Sequence, residues 1–109
     1  TPQMSREPSP RAWIGVLVAD LRFHGARTLK DRRGELNSIR DRLGNLGFSV
    51  SQTGPADLPA RAWVAAACAC GTRAGASGML ESAVALIRDS AAGTGGIETC
   101  ISLFDPEME

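Results

Sequence analysis

The chain has 109 residues, 43% of them hydrophobic, which fits one domain with its own core and leaves no room for a second. Twelve basic residues balance twelve acidic ones, so whole-chain charge excludes the strongly basic class of nucleic-acid binders, and only a local patch could serve a polyanion. The longest apolar stretch, Ala62 to Cys70, is about half a bilayer span, so a membrane protein is not expected.

Residues 1–10 hold Pro2, Pro8 and Pro10 among polar neighbours without apolar periodicity, and are expected to be a disordered leader. The domain is expected to cover residues 11–104. Trp13 to Phe23 alternates as a strand, with Gly15, Leu17, Ala19, Leu21 and Phe23 on one face and Ile14, Val16, Val18, Asp20 and Arg22 on the other. Both faces begin apolar, which places the strand centrally. Thr28, with Asp31 three residues on, forms a capping-box variant that starts a helix from about Leu29 to Asn45. Leu29, Leu36, Ile39, Leu43 and Leu46 make its apolar stripe, and Gly47 stops it.

Phe48 to Thr53 reads as a short strand with one polar face, and the two prolines and glycine of residues 54–59 make a loop. Arg61 to Cys70 is expected to be the third strand, held by tertiary context because alanine is a poor strand former; a helix is the competing local reading. Gly71 and Thr72 open a second helix with Leu80, Val84, Ile87 and Ala91 along one stripe, ended by residues 92–96. Ile97 to Phe104 alternates as the last strand, and residues 105–109 form an acidic tail. The order βαββαβ with right-handed crossovers predicts an α+β, ferredoxin-like fold: a four-stranded antiparallel sheet with both helices on one face.

Such a sheet leaves its other face open. The outward residues of the central strands would be Ile14, Val16 and Val18 beside Trp63, Ala65, Ala67 and Ala69, with Ser49, Ser51, Glu98, Cys100 and Ser102 on the edges. An apolar centre with a polar rim is the layout of a protein–protein interface, most simply a homodimer around Ile14, Val16, Val18 and Trp63. The faces of the third strand remain open at this point, because Val64 and Ala66 suit a core as well as Trp63 does.

No catalytic constellation is complete. His24 is the sole histidine and has no acidic neighbour to orient it. Three cysteines, Cys68, Cys70 and Cys100, match neither a four-ligand metal site nor a secreted disulfide scaffold; they read as small buried thiols in a reducing, cytoplasmic setting. No metal or cofactor is expected. The polar candidate is the first helix. From Arg27 to Arg42 six basic residues face three acidic ones, and at 100° per residue Lys30, Arg33, Asn37 and Arg40 fall within about 80° of one another. Such a row can follow a phosphate backbone. Arg32 falls inside the apolar stripe, where it could snorkel past the sheet end or pair with a loop carboxylate such as Asp57.

Thr28-Leu29-Lys30-Asp31-Arg32-Arg33 resembles the Ser-Leu-Lys-Asp-Lys-Arg signature of the YlxP-like family, also called domain of unknown function 503. Gly15-Val16-Leu17 ahead of it is similar as well, and Thr53-Gly54 followed by Asp57-Leu58 and Arg61-Ala62 resembles that family's Gly-x-Gln-Asp-Leu-x-x-Arg-Ala stretch. The chain departs from the pattern at Val18, Pro55 and Ala56. The resemblance implies a ferredoxin-like fold, no known enzymatic activity, a bacterial source and a genomic setting among translation and ribosome-maturation genes. From it comes the expectation of a cytoplasmic binding protein for RNA or a ribosomal particle, not DNA, with Lys30, Arg32, Arg33, Arg40, Asp57 and Arg61 as contacts.

Overall fold

A computed structural model describes residues 10–90 and 92–106. The expected leader, apart from Pro10, lies outside the described residues, as do Ala91 of the second helix's stripe and most of the acidic tail. The elements run β1 (Ala12–Arg22), α1 (Leu29–Leu46), β2 (Ser49–Thr53), β3 (Arg61–Cys70), α2 (Arg73–Arg88) and β4 (Gly93–Phe104). The sheet order is β2-β3-β1-β4 with every neighbouring pair antiparallel, so the fold is ferredoxin-like α+β. Residues 61–70 are a strand and not a helix. Pairing along the full length of β1, from Trp13 opposite Cys70 to Arg22 opposite Arg61, overrides the weak strand propensity of their alanines.

Both helices cover one face. Leu17, Ala19 and Leu21 of β1 and Ala62, Val64, Ala66 and Cys68 of β3 are buried there against Leu36, Ile39 and Leu43 of α1 and Ala76, Leu80, Ala83 and Ile87 of α2. The register also settles the faces of β3: with Val64 and Ala66 in the core, Trp63 points to the open side. α1 begins with a full capping box, in which the Asp31 N–H donates to Thr28 Oγ1 at 3.2 Å and the Thr28 N–H donates to Asp31 Oδ2 at 3.2 Å. It ends at Gly47, whose φ of 109° is open to glycine at little cost. Phe48 belongs to this cap and not to the strand: its N–H donates to the Leu43 carbonyl, and its ring is buried.

The last strand is longer than its alternation predicts. Residues 93–96, expected as a loop because of their three glycines, already pair with β1, Arg22 opposite Gly93 and Leu21 opposite Thr94. The register then shifts between Asp20 and Leu21, leaving Gly95 as the extra residue of a bulge. Beyond β4, Arg11 Nε lies 3.3 Å from Asp105 Oδ2, which ties the start of the acidic tail back to the entry of β1.

Candidate functional site

Lys30 and Arg33 are exposed and Arg40 is half-buried on one flank of α1. None of the three takes part in an ion pair among the described residues. Asp31, adjacent to Lys30 and two residues from Arg33, is held at the helix entry, where its carboxylate accepts from the Arg27 N–H at 3.1 Å as well as from Thr28. That placement suits the positive end of the helix dipole and leaves the flank its charge. Arg33, Asn37 and Arg40 form one wall of a groove of about 260 Å³, with Gln52 of β2 and Ala56 of the following loop on the other side. Two buried donors belong to the same groove, Arg32 Nε–H and the Gln52 side-chain amide, and neither has a protein acceptor.

Arg32 has a different place from the one its charge suggested. It is only 5% exposed, and its guanidinium turns inward to the loop after β2. Nη1 donates to the carbonyls of Leu58 and of Arg61, the latter at 2.8 Å, and Nη2 donates to that of Ala56 at 3.1 Å. The in-stripe position forces this outcome, because a cation facing the core must find acceptors there. Its partners are backbone carbonyls and not the Asp57 carboxylate, and Asp57 is exposed. Arg32 therefore shapes the groove by fastening residues 56–61 to α1.

Arg61 also lies apart from the basic row. Its side chain is on the open face of the sheet, opposite the helices, with its guanidinium 4.3 Å from the centre of the Trp63 ring. Arg61 Nε and Nη2 donate to the two oxygens of Asp20 at 3.0 and 2.8 Å, and Arg22 donates to the same carboxylate at 3.1 and 3.0 Å. Hydrogen bonds from Arg22 first and then Arg61 hold the Asp20 carboxyl far below the usual carboxylate range, and the same contact raises the Arg22 guanidinium. Gly95 makes the cluster possible, since a Cβ there would collide with Asp20 Oδ2. Sequence reasoning missed Asp20, Arg22 and Gly95 as a unit. The available signal was the spacing of Asp20 and Arg22 on the outward face of β1, opposite Trp63 and Arg61 once the β1–β3 register is known.

Beyond this cluster the open face is apolar at its centre. Val16 lies between Ala67 and Cys100 across the sheet, and Val18 lies between Ala65 and Glu98. Val18 is 40% exposed, while Ile14, Val16 and Trp63 are partly covered by their neighbours. The cysteines divide three ways. Cys68 is buried, and burial pushes its thiol up; Cys70 is half-buried with its sulfur 3.5 Å from Met79 Sδ; Cys100 is exposed on the open face. The expectation of three buried thiols thus holds at Cys68 alone: Cys70 is half covered at the end of β3, and Cys100 is exposed because β4 is an edge strand whose outward side chains meet solvent. His24 is exposed beside Gly93 in the connector after β1.

Among the described residues no helix is long and apolar enough to cross a membrane. A search of curated proteins returns no match. A family model described as a protein of unknown function, DUF503, matches residues 14–95, from the entry of β1 to the bulge of β4, and so spans most of the fold described above. The chain belongs to the DUF503 family.

Proposed function

We propose that this protein is a non-catalytic, cytoplasmic RNA-binding protein that holds a phosphate backbone against the α1 flank, in the setting of the ribosome or its maturation. The observation that carries the reading is the row Lys30, Arg33 and Arg40 beside Asn37: three cations that form no ion pair among the described residues, on one side of one helix, with Arg33, Asn37 and Arg40 lining a groove. Phosphate oxygens are acceptors only, and the groove offers them the side-chain donors of Arg33, Asn37 and Arg40. The family resemblance adds the translation setting. Trp63, stacked beneath Arg61, is on the opposite face and offers the row no base platform, so the expected recognition is of backbone and shape more than of base identity.

The test is binding of a labelled structured RNA followed by fluorescence anisotropy across a salt series. Affinity is expected to fall steadily with salt, and a Lys30/Arg33/Arg40 triple alanine variant should reduce the slope of log K against log salt by about two to three. Binding unchanged in that variant removes the row as the site.

A further inference from the structure

We propose that two copies of this chain pair edge to edge along β4, joining their sheets into one of eight strands, with the α2 helices facing each other across the joint. The inference is independent of the RNA reading, and it puts self-association on a sheet edge and not on the open sheet face.

The two edges of the sheet differ. β2 offers five residues, whereas β4 offers twelve and is paired on one side only, by β1. Natural edge strands are protected by charge, proline, bulges or brevity. In β4 the bulge at Gly95 deals with the first few residues, but from Ile97 to Phe104 the strand carries one charge, Glu98, and no proline. Leu103 and Phe104 are exposed there, Phe104 to 54%. An unpaired row of backbone donors and acceptors along such a segment is a template for another strand.

Beside that edge, on the helix side, a groove of about 590 Å³ separates α2 from β4. Leu80, Val84, Thr99 and Ile101 line it, and Glu81 and Arg88 stand on its α2 wall. Any chain that extends the sheet at β4 closes this groove, so the polar template and the apolar groove call for one occupant.

Charge identifies the occupant as a second copy. Glu81 and Arg88 are seven residues apart, which puts them on the same side of α2 two turns from each other, and neither has an ion-pair partner among the described residues. β4 pairs with its copy about a two-fold axis, so the partner's α2 runs antiparallel to the first. An axis passing near Val84 and Ala85 then brings Glu81 of each copy opposite Arg88 of the other. The same surface with the same sign of charge at both ends would repel its own image; this one attracts it, and the arrangement closes at two copies.

The experiment is the dimer dissociation constant of the full chain by sedimentation equilibrium, with circular dichroism to check that each variant keeps the fold. Both positions are exposed, so single charge reversals are expected to fold. Glu81→Arg and Arg88→Glu should each weaken the dimer by about tenfold or more, because each puts two like-charge contacts in the joint. The double variant should return to within about threefold of the original, since the reversals recreate both pairs. Val18→Glu, on the open face, should leave the constant unchanged. The proposal is overturned by a chain that stays monomeric at about 1 mM, well above the range of weak specific complexes. It is equally overturned by a dimer indifferent to the single reversals, by a double variant that fails to recover, or by a dimer that Val18→Glu dissociates.

Discussion

Arg32 and Arg61 reach the same end of the sheet from opposite faces, and they secure it by different chemistry. On the covered face Arg32 is buried and gives its donors to neutral carbonyls of residues 56, 58 and 61. On the open face Arg61 is part-exposed and shares a carboxylate with Arg22 over Trp63. Residue 61 joins the two systems, since its carbonyl accepts from Arg32 while its guanidinium binds Asp20. The difference teaches that a cation's contribution depends on what accepts from it. Carbonyls do not titrate and the buried clamp is indifferent to pH, whereas the Asp20 clamp exists only while that carboxyl is ionised.

The strongest way to break the comparison is Arg32→Ala. It leaves three carbonyls without their donors at the loop and a cavity beneath α1, and is expected to cost about 2–4 kcal/mol in urea denaturation. Arg32→Lys should recover less than half of that, because one ammonium cannot reproduce the planar fork that reaches three carbonyls. Next in size is Gly95→Ala. The added Cβ must displace Asp20 Oδ2 and Arg22 Nη2, a loss of about 1–2 kcal/mol by the same measurement, with β4 pairing otherwise kept.

The smallest effect sharpens the contrast most. Asp20→Asn should cost about 1 kcal/mol at neutral pH, a modest value because Arg22 and Arg61 are both partly solvated. The folded-state carboxyl is depressed, so its contribution is complete above the unfolded value of about 4 and is lost as pH falls from there toward the folded one. Stability curves of the original chain and of Asp20→Asn should therefore converge in acid. Those of the original chain and Arg32→Ala should stay apart across the same range.

Much of this was legible in the residues themselves. The period of Leu36, Ile39 and Leu43, the Thr28/Asp31 box and the alternation of Leu17, Ala19 and Leu21 are local signals, and each fixed an element with little help from the rest of the chain. Arg32 was visible as an anomaly in the apolar stripe, but its acceptors were not, because they lie in a loop whose path depends on β3. The faces of β3 were equally out of reach locally, since small alanines fill both sides and only the register with β1 decides between Trp63 and Val64. Gly93 to Gly96 misled for the opposite reason. Their composition signals a loop, and what makes them strand is the unused length of β1 beside them.

The pairing of β1 with β4 has a consequence for how the chain comes to be folded. Ala12 meets Phe104 and Arg22 meets Gly93, so β1, one of the two inner strands of the sheet, waits for the last element to be made before its second side is covered. Contacts this distant along the chain slow folding, because the intervening loop must close before they contribute. While the ribosome still holds β4, a nascent chain with β1, α1, β2, β3 and α2 already assembled shows Val16 and Val18 on a strand whose ladder is half empty. A vulnerable interval of that kind, which lasts until β4 is free to pair, is where a chaperone would be expected to engage this protein.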